Sequence, residues 1–225
     1  NIVVLTGAGI SAESGIKTFR DADGLWEGHD VMEVASPQGW RRNQALVLDF
    51  YNQRRAQLHN VQPNDAHRAL ADLEQAHNVM IITQNVDDLH ERAGSSRILH
   101  LHGELRKVRS TVDPSLIYDW DKDVTEADKC ELGSQLRPHI VWFGEAVPAI
   151  ETAARLCQVA DVLLIVGTSM QVYPAAGLAD YVPEQAPKYY IDPRPAAVNL
   201  PHLRVIQDNA TTGVRQLVEE WLAQA

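Results

Sequence analysis

Val3-Val4-Leu5-Thr6-Gly7-Ala8-Gly9-Ile10-Ser11-Ala12-Glu13-Ser14-Gly15 runs from an apolar strand straight into a glycine-rich turn. Gly7 and Gly9 carry no Cβ to hold backbone N–H groups away from an anion, and the helix expected from Ser11 onward aims its positive end at the same place. The spacing matches the G-x-G-x-x-A pattern that opens a dinucleotide site in doubly wound α/β proteins. The plainer alternative is a strand-to-helix connection with no ligand. In a dehydrogenase the pattern continues through a helix into a second strand that ends in an acid about 20 residues on. Here the stretch 15–26 is polar and glycine-punctuated, and no strand-like run comes before Asn78-Val79-Met80-Ile81-Ile82. A dinucleotide in this chain is therefore expected in a different pose.

Short apolar runs at 2–5, 79–83, 97–101, 140–143, 162–166, 189–191 and 203–206 are mostly too continuous for half-exposed strands. With helical patterns over 65–76, 150–160 and 212–222 between them, they predict an α/β fold: a Rossmann-like, doubly wound parallel sheet covered on both faces. Two stretches break the alternation. Residues 25–60 lack strand character and end in a helical run over 43–58, and 106–139 is polar, aspartate-rich and irregular. Within a single domain spanning 1–225, these two insertions are expected to form a small lobe beside a main lobe of 1–24, 61–105 and 140–225, with a cleft between the lobes.

The chain has 225 residues, 45% hydrophobic and 22% charged, ordinary for a globular protein with a sizeable core. No apolar run approaches the roughly 18 residues that span a bilayer, and the first residues already read as a core strand rather than a leader, so a cytoplasmic protein is expected. Asn1 stands directly before that strand, which leaves room for residues ahead of it in the physiological chain. The net charge of −10, spread along the sequence, argues against nucleic-acid binding and suits a cationic partner such as a lysine-containing peptide. Cys130 and Cys157 are too few for a disulfide framework or a metal quartet and read as free thiols.

Three strand ends carry polar groups where ligands bind in parallel sheets. After 79–83 come Gln84, Asn85, Val86 and Asp87, whose amides and carboxylate suit ribose hydroxyls and a carboxamide; capping of a helix near Leu89 is the alternative. After 97–101 comes His102-Gly103, a histidine placed to act as a base near neutral pH, or else a hydrogen-bonded structural residue. His100, two residues back, reads as structural. After 162–166 comes Gly167-Thr168-Ser169, a small hydrogen-bonding turn. Val141-Trp142-Phe143-Gly144-Glu145 adds large aromatics that either pack a core or wall an apolar tunnel.

Taken together, Gly7-Ala8-Gly9-Ile10-Ser11, Thr18-Phe19-Arg20, Thr83-Gln84-Asn85-Val86-Asp87, His102-Gly103, Trp142-Phe143-Gly144-Glu145 and Gly167-Thr168-Ser169 resemble the sirtuins, NAD-dependent protein lysine deacylases, in family order and over most of the chain. The resemblance implies that NAD is cut between nicotinamide and ribose, with the acyl group passed to ADP-ribose to give 2'-O-acyl-ADP-ribose. By similarity, Gly7, Ala8, Gly9, Ser11, Thr18, Arg20, Trp26, Thr168 and Ser169 hold the cofactor, Phe19 shields the reactive carbon from water, and Val86 and Asp87 hold the carboxamide. Gln84 and Asn85 stand at the ribose, with Asn85 catalytic beside His102, the general base. Val141 and Phe143 line an acyl-lysine tunnel, and the backbone near Gly144 and Glu145 pairs with an extended peptide. A monomer is expected.

Tyr51 and Arg54 lie three apart on one helix face, and a phenol with an arginine fork is the chemistry that recognises a carboxylate. An exposed helical arginine is the alternative reading. The pair resembles that of the family members that remove succinyl and malonyl groups, and Ala12 fits a roomier pocket. Two departures matter. Most members hold zinc with four cysteines in the small lobe, whereas this chain has Cys130 alone there, with Ser110 near an earlier cysteine position, so no zinc is expected. Packing through Leu116, Ile117, Tyr118 and Trp120 would hold the lobe instead. Asp192 stands where many members present asparagine to the adenosine end, near Asn209-Ala210. An NAD hydrolase and a silent NAD-binding module are rival readings; Trp142 to Glu145 with Tyr51 and Arg54 argue against the first, and His102 with Asn85 against the second.

Overall fold

The computed structural model describes residues 1–18 and 24–225. Strand β1 (Ile2–Thr6) leads into α1 (Gly9–Ala12), and the short pair β2 (Leu25–Trp26) and β3 (His29–Asp30) precedes α2 (Val31–Val34), α3 (Pro37–Arg42) and α4 (Gln44–Gln57). There follow α5 (Asp65–Leu73), β4 (Val79–Thr83), α6 (Leu89–Ala93), β5 (Ile98–His100), β6 (Gly103–Ser110), β7 (Ile117–Asp119) and β8 (Leu136–Ile140). The chain closes with α7 (Ile150–Gln158), β9 (Val162–Val166), a 3-10 helix (Ala175–Tyr181), β10 (Lys188–Ile191), β11 (Leu203–Ile206) and α8 (Ala210–Ala223).

Six strands form one parallel sheet in the order β11-β10-β9-β1-β4-β5. Its central strand β1 is buried at every position, as expected for an Ile-Val-Val-Leu run with helices on both sides. On one face α5 and α8 bring Leu70, Leu73, Val214 and Leu217 against Val4 and Ile81; on the other, α7 and the 3-10 helix bring Ala153, Cys157 and Leu178 against Leu5 and Leu163. The chain builds outward from β1 through β4 and β5, then resumes at β9 on the opposite side of β1. Strand order reverses between β1 and β9, the point where a doubly wound sheet opens a ligand crevice.

Three sequence expectations are corrected. The helix from Ser11 is a single turn starting at Gly9, because the Asn64 amide donates to Ile10 O at 2.8 Å and Ser14 Oγ at 3.0 Å, satisfying the end of the turn from outside. Residues 106–139 are not irregular throughout: β6, β7 and β8 pair antiparallel in a separate three-stranded sheet. The strand placed at 140–143 is β8, which ends at Ile140, so the aromatic run after it is a turn rather than a seventh member of the main sheet. In the lobe core Leu116, Tyr118 and Trp120 pack on Val108, Val124 and Leu136 as expected, whereas Ile117 is exposed.

The turns after β1 and β9 touch backbone to backbone. Gly7 N donates to Val166 O at 3.0 Å and Gly9 N to Gly167 O at 2.7 Å. A Cβ on Gly9 would meet Gly167 Cα at 2.5 Å, and one on Gly167, whose φ is +63°, would meet the Ile10 nitrogen at 2.3 Å. These glycines are demanded by chain packing, independently of any ligand. Gly167→Ala is expected to cost about 2–4 kcal/mol, combining left-handed strain with an overpacked contact. Urea unfolding would read this as a lowered midpoint at unchanged slope.

Candidate active site

A cavity of about 370 Å³ opens at the switch point. Its wall includes Gly7, Ala8, Gly9, Ser11, Ala12, Thr18, Trp26, Tyr51, Arg54, Gln84, Asn85, Val86, Asp87 and His102, along with Val141, Phe143, Gly144, Glu145, Gly167, Thr168, Ser169, Asp192 and Ala210. Every residue given a catalytic, cofactor or substrate role from sequence is thus brought to one hollow, apart from Phe19 and Arg20, which lie outside the described residues. The wall also takes in Glu13, Lys17, Glu27, Val172, Tyr173 and Arg194, which no sequence motif marked.

The segment after β4 is clamped carbonyl by carbonyl. Leu101 N donates to Thr83 O at 2.9 Å and Leu105 N to Val86 O at 2.8 Å. Between them, the ring Nδ1 of His102 lies 3.2 Å from Gln84 O, and that of His100 lies 3.0 Å from Asn85 O. A carbonyl can only accept, so both rings carry their proton on Nδ1 there. His102 is left with a bare Nε2 on the cavity wall, and burial holds its pKa below the usual imidazole value while the Gln84 bond pulls the other way. It is a neutral imidazole at neutral pH. His100 differs: the bonded Glu91 carboxylate holds its pKa above the ordinary value against the opposing effect of burial. Its second nitrogen points to Glu91 rather than into the cavity, which matches the structural role read from sequence.

A buried polar chain underlies the pocket floor. Asn64 N donates to His67 Nδ1 at 3.1 Å, so His67 offers its Nε2 proton to Ser11 Oγ at 3.4 Å, and Ser11 donates onward to Asp87 Oδ2 at 2.8 Å. Asn85 Nδ2 donates to Gly7 O at 3.0 Å, leaving its Oδ1 as the polar atom for a ligand. Gln84 Nε2 reaches across to Thr168 Oγ1 at 3.1 Å, tying the ends of β4 and β9 together. Asp192 is buried and accepts from Arg194 N at 2.8 Å. The amides, hydroxyls and buried carboxylates suit a ligand rich in hydroxyls and amides.

The opposite wall comes from α4 and the turn after β8. Tyr51 is fully buried, and its hydroxyl accepts from Trp142 Nε1 at 3.1 Å, so the phenol proton points elsewhere. Arg54 lies over the Phe50 ring at 5.1 Å, and its Nε is buried with no hydrogen-bond partner among the described residues. The aromatic turn is shaped by Glu145, whose carboxylate accepts from Arg137 at 2.9 and 3.0 Å and from Trp142 N at 2.8 Å. Arg137 in turn stacks over Trp142 at 3.5 Å. Glu145 therefore lines the cavity while its charge is spent on holding the turn. Gly144, at φ +90°, makes the reversal, and Phe143 is 40% exposed at the rim.

In the small lobe, Cys130 Sγ donates to Ser110 Oγ at 3.3 Å. Among the described residues, the group of side chains close enough to share a metal ion is Glu91, His100 and Glu104, which is not in that lobe. No described helix is long and apolar enough to cross a membrane.

Comparison with known proteins agrees over the whole chain. The Sir2 family profile matches residues 7–174. An NAD-dependent protein deacylase of Helicobacter pylori is 60% identical, covering 100% of this chain and 99% of that protein. One of Bacteroides thetaiotaomicron is 55% identical, covering 96% of each. Among solved structures, a Sir2 homolog in complex with NAD superposes with a TM-score of 0.89 at 39% identity, covering 99% of this chain and 90% of that one. A mutant Sir2 homologue bound to ADP-ribose gives 0.90 at 39% identity, covering 100% and 94%.

Asp87 carries a measurable cost of this arrangement. Burial pushes its pKa up to about 6, against the lowering bonds from Leu89 N and Ser11, whereas the ordinary value is 3.8. The folded protein therefore holds a proton that the unfolded chain has released, and the group's contribution to stability, full below pH 4, is lost as pH rises through about 6. Asp87→Asn is expected to raise stability by about 1–3 kcal/mol above that pH and by little near pH 4. Denaturation curves across this range would check it.

Proposed function

The chain belongs to the Sir2 family, and on that premise we propose that it is an NAD-dependent protein lysine deacylase whose pocket takes acetyl, succinyl and malonyl groups. The observation that carries the acidic-acyl part is Arg54: in the same cavity as His102, its buried Nε lacks a partner among the described residues. A buried guanidinium nitrogen without a partner is costly, and a ligand carboxylate can satisfy it. Tyr51, whose hydroxyl already accepts from Trp142, keeps its own proton to donate beside it.

The residues present fit NAD. The interlocked glycine turns offer backbone close to the floor, Gln84, Asn85 and Asp87 offer amide and carboxylate partners, and Asp192 with Ala210 closes the far end. Bound NAD supplies the activated nicotinamide–ribose bond whose cleavage provides an acceptor for the acyl oxygen. The protein's own part is positioning and proton transfer. His102, fixed by Gln84 O and neutral at pH 7, offers Nε2 to take a proton from a hydroxyl in the cavity. Asn85, held by Gly7 O, aligns the same region. Phe143 and Val141 give an apolar passage for the lysine stem, and the exposed turn at Gly144 suits an extended peptide strand.

The same reading extends to the rest of the chain. Residues 25–60 and 106–139 act as one lobe, supported by the packing of Leu48 from α4 against Val108 and Leu136. That lobe is metal-free, because its single thiol bonds a serine hydroxyl and an apolar cluster fills its centre. The protein works in the cytoplasm as a monomer on acylated proteins, without nucleic acid or membrane. The hydrolase and silent-module alternatives are disfavoured by the intact His102, Asn85 and acyl-side wall.

Two variants test this. His102→Ala is expected to lower deacylation by at least about 10²-fold with NAD binding retained in calorimetry; undiminished turnover would refute the base. Arg54→Met is expected to lower kcat/KM for succinyl-lysine peptide about 10-fold or more while acetyl-lysine changes far less. An equal loss on both peptides would refute the carboxylate role.

A further inference from the structure

The guanidinium assigned to the acyl carboxylate already faces a carboxylate of the protein itself. Glu27 Oε2 lies 3.9 Å from Arg54 Nη1, with side chains only 19% and 14% exposed, and both residues line the cavity. That distance is too long for a hydrogen bond but close enough for strong attraction in a half-buried site. Arg54 is thus charge-compensated without being saturated, and among the described residues its Nε keeps no partner.

Glu27 is held there by the packing of its neighbour and by the hairpin it turns. Trp26 packs edge-on against Phe50 at 4.8 Å and Tyr51 at 5.9 Å, which pins β2 to the same helix that carries Arg54. Glu27 itself adopts φ +49°, a left-handed conformation uncommon for glutamate, and Gly28 follows at φ +81°. These two residues are the turn of the hairpin in which Leu25 pairs with Asp30 and Trp26 with His29, and a two-residue turn of this kind needs positive φ at both positions, so the hairpin fixes where Glu27 leaves the backbone. The other acids on the wall have their own partners: Glu145 is bound by Arg137, and Asp87 by Ser11 and Leu89 N.

We propose that Glu27 is a specificity-determining residue: a resident carboxylate that compensates Arg54 when a neutral acyl group fills the pocket and competes with the acyl carboxylate when a charged one does. This rests on the acidic-acyl reading of Arg54. With acetyl-lysine bound, Glu27 keeps the guanidinium from being an uncompensated charge against an apolar group. With succinyl-lysine bound, two carboxylates share one guanidinium, so affinity for the acidic acyl group is held below what Arg54 alone would give. One pocket can therefore serve both substrate classes.

The test is a double-mutant cycle read as kcat/KM for succinyl-lysine and acetyl-lysine peptides on the full chain. Glu27→Gln is expected to raise the succinyl-to-acetyl ratio about threefold to tenfold, and the same change made in Arg54→Met should not raise it. Glu27→Asn, a residue that tolerates left-handed backbone, should act in the same direction and guards against a folding defect. An unchanged or lowered ratio in Glu27→Gln, or an equal rise in the Arg54→Met background, would overturn the role of Glu27. If Arg54→Met lowers the ratio while Glu27→Gln leaves it flat, only Glu27 falls; if Arg54→Met leaves the ratio unchanged, the carboxylate reading of Arg54 falls with it.

Discussion

Backbone contact between the turns that follow β1 and β9 is the constraint on which the site depends. Each turn occupies the space where the other's Cβ would be, so neither Gly9 nor Gly167 can carry a side chain while the strands keep their register. That approach brings Gly7 O within reach of Asn85 Nδ2 and Thr168 Oγ1 within reach of Gln84 Nε2. Three strand ends are thereby locked into one floor before any ligand is considered. Gly103 extends the same device: a Cβ there would meet His139 O at 2.0 Å, so only glycine lets β6 begin immediately after His102.

The polar groups on this floor are arranged at some expense to stability. Parallel strands end in apolar surroundings, so the amides and carboxylate that follow β4 must be satisfied internally or by a ligand. The protein does most of it internally, with hydrogen bonds on four successive carbonyls from Thr83 to Val86. Asp87 is the exception in energetic terms, ionised at neutral pH in a site that raises its pKa. A carboxylate kept where it weakens the fold is a mark of function rather than of packing.

The main sheet was legible because continuous Val-Ile-Leu runs have one reading when both faces are covered. The second sheet was not: β6 reads Gly-Glu-Leu-Arg-Lys-Val-Arg-Ser, and β8 contains Arg137 and Pro138, so neither shows an apolar run. Their buried arginines are satisfied by tertiary partners, such as Glu145 for Arg137, that no local pattern reveals. That the candidate site residues share one cavity was legible by motif and chemistry, yet two of the reasons for their types were not. Gly9 and Gly167 are required by chain packing, and Glu145 holds the aromatic turn rather than presenting its charge. Glu27 carried no motif at all, since its significance lies in a pairing with Arg54 across the fold.

Arg54 and Arg55 show how far a sequence can go at such a site. They are adjacent, chemically identical and on the same helix, and only their direction from the axis separates them. Arg55 turns inward: Nε donates to Leu105 O at 2.8 Å and Nη1 to Asn52 Oδ1 at 2.8 Å, with burial lowering its pKa to about 10, so it stays charged. Leu105 is the residue whose N–H holds Val86 O, one step from Asp87. The guanidinium of Arg55 therefore couples α4 to the clamp on the segment after β4, and through it sets Tyr51 and Arg54 in position opposite His102. In the proposed reading, a pocket on a helix from one insertion and a histidine on the central sheet need such a tie, because the distance between them sets which acyl group fits. The recognition role proposed for Arg54 leans on Arg55, which gives up solvent to keep the helix in place.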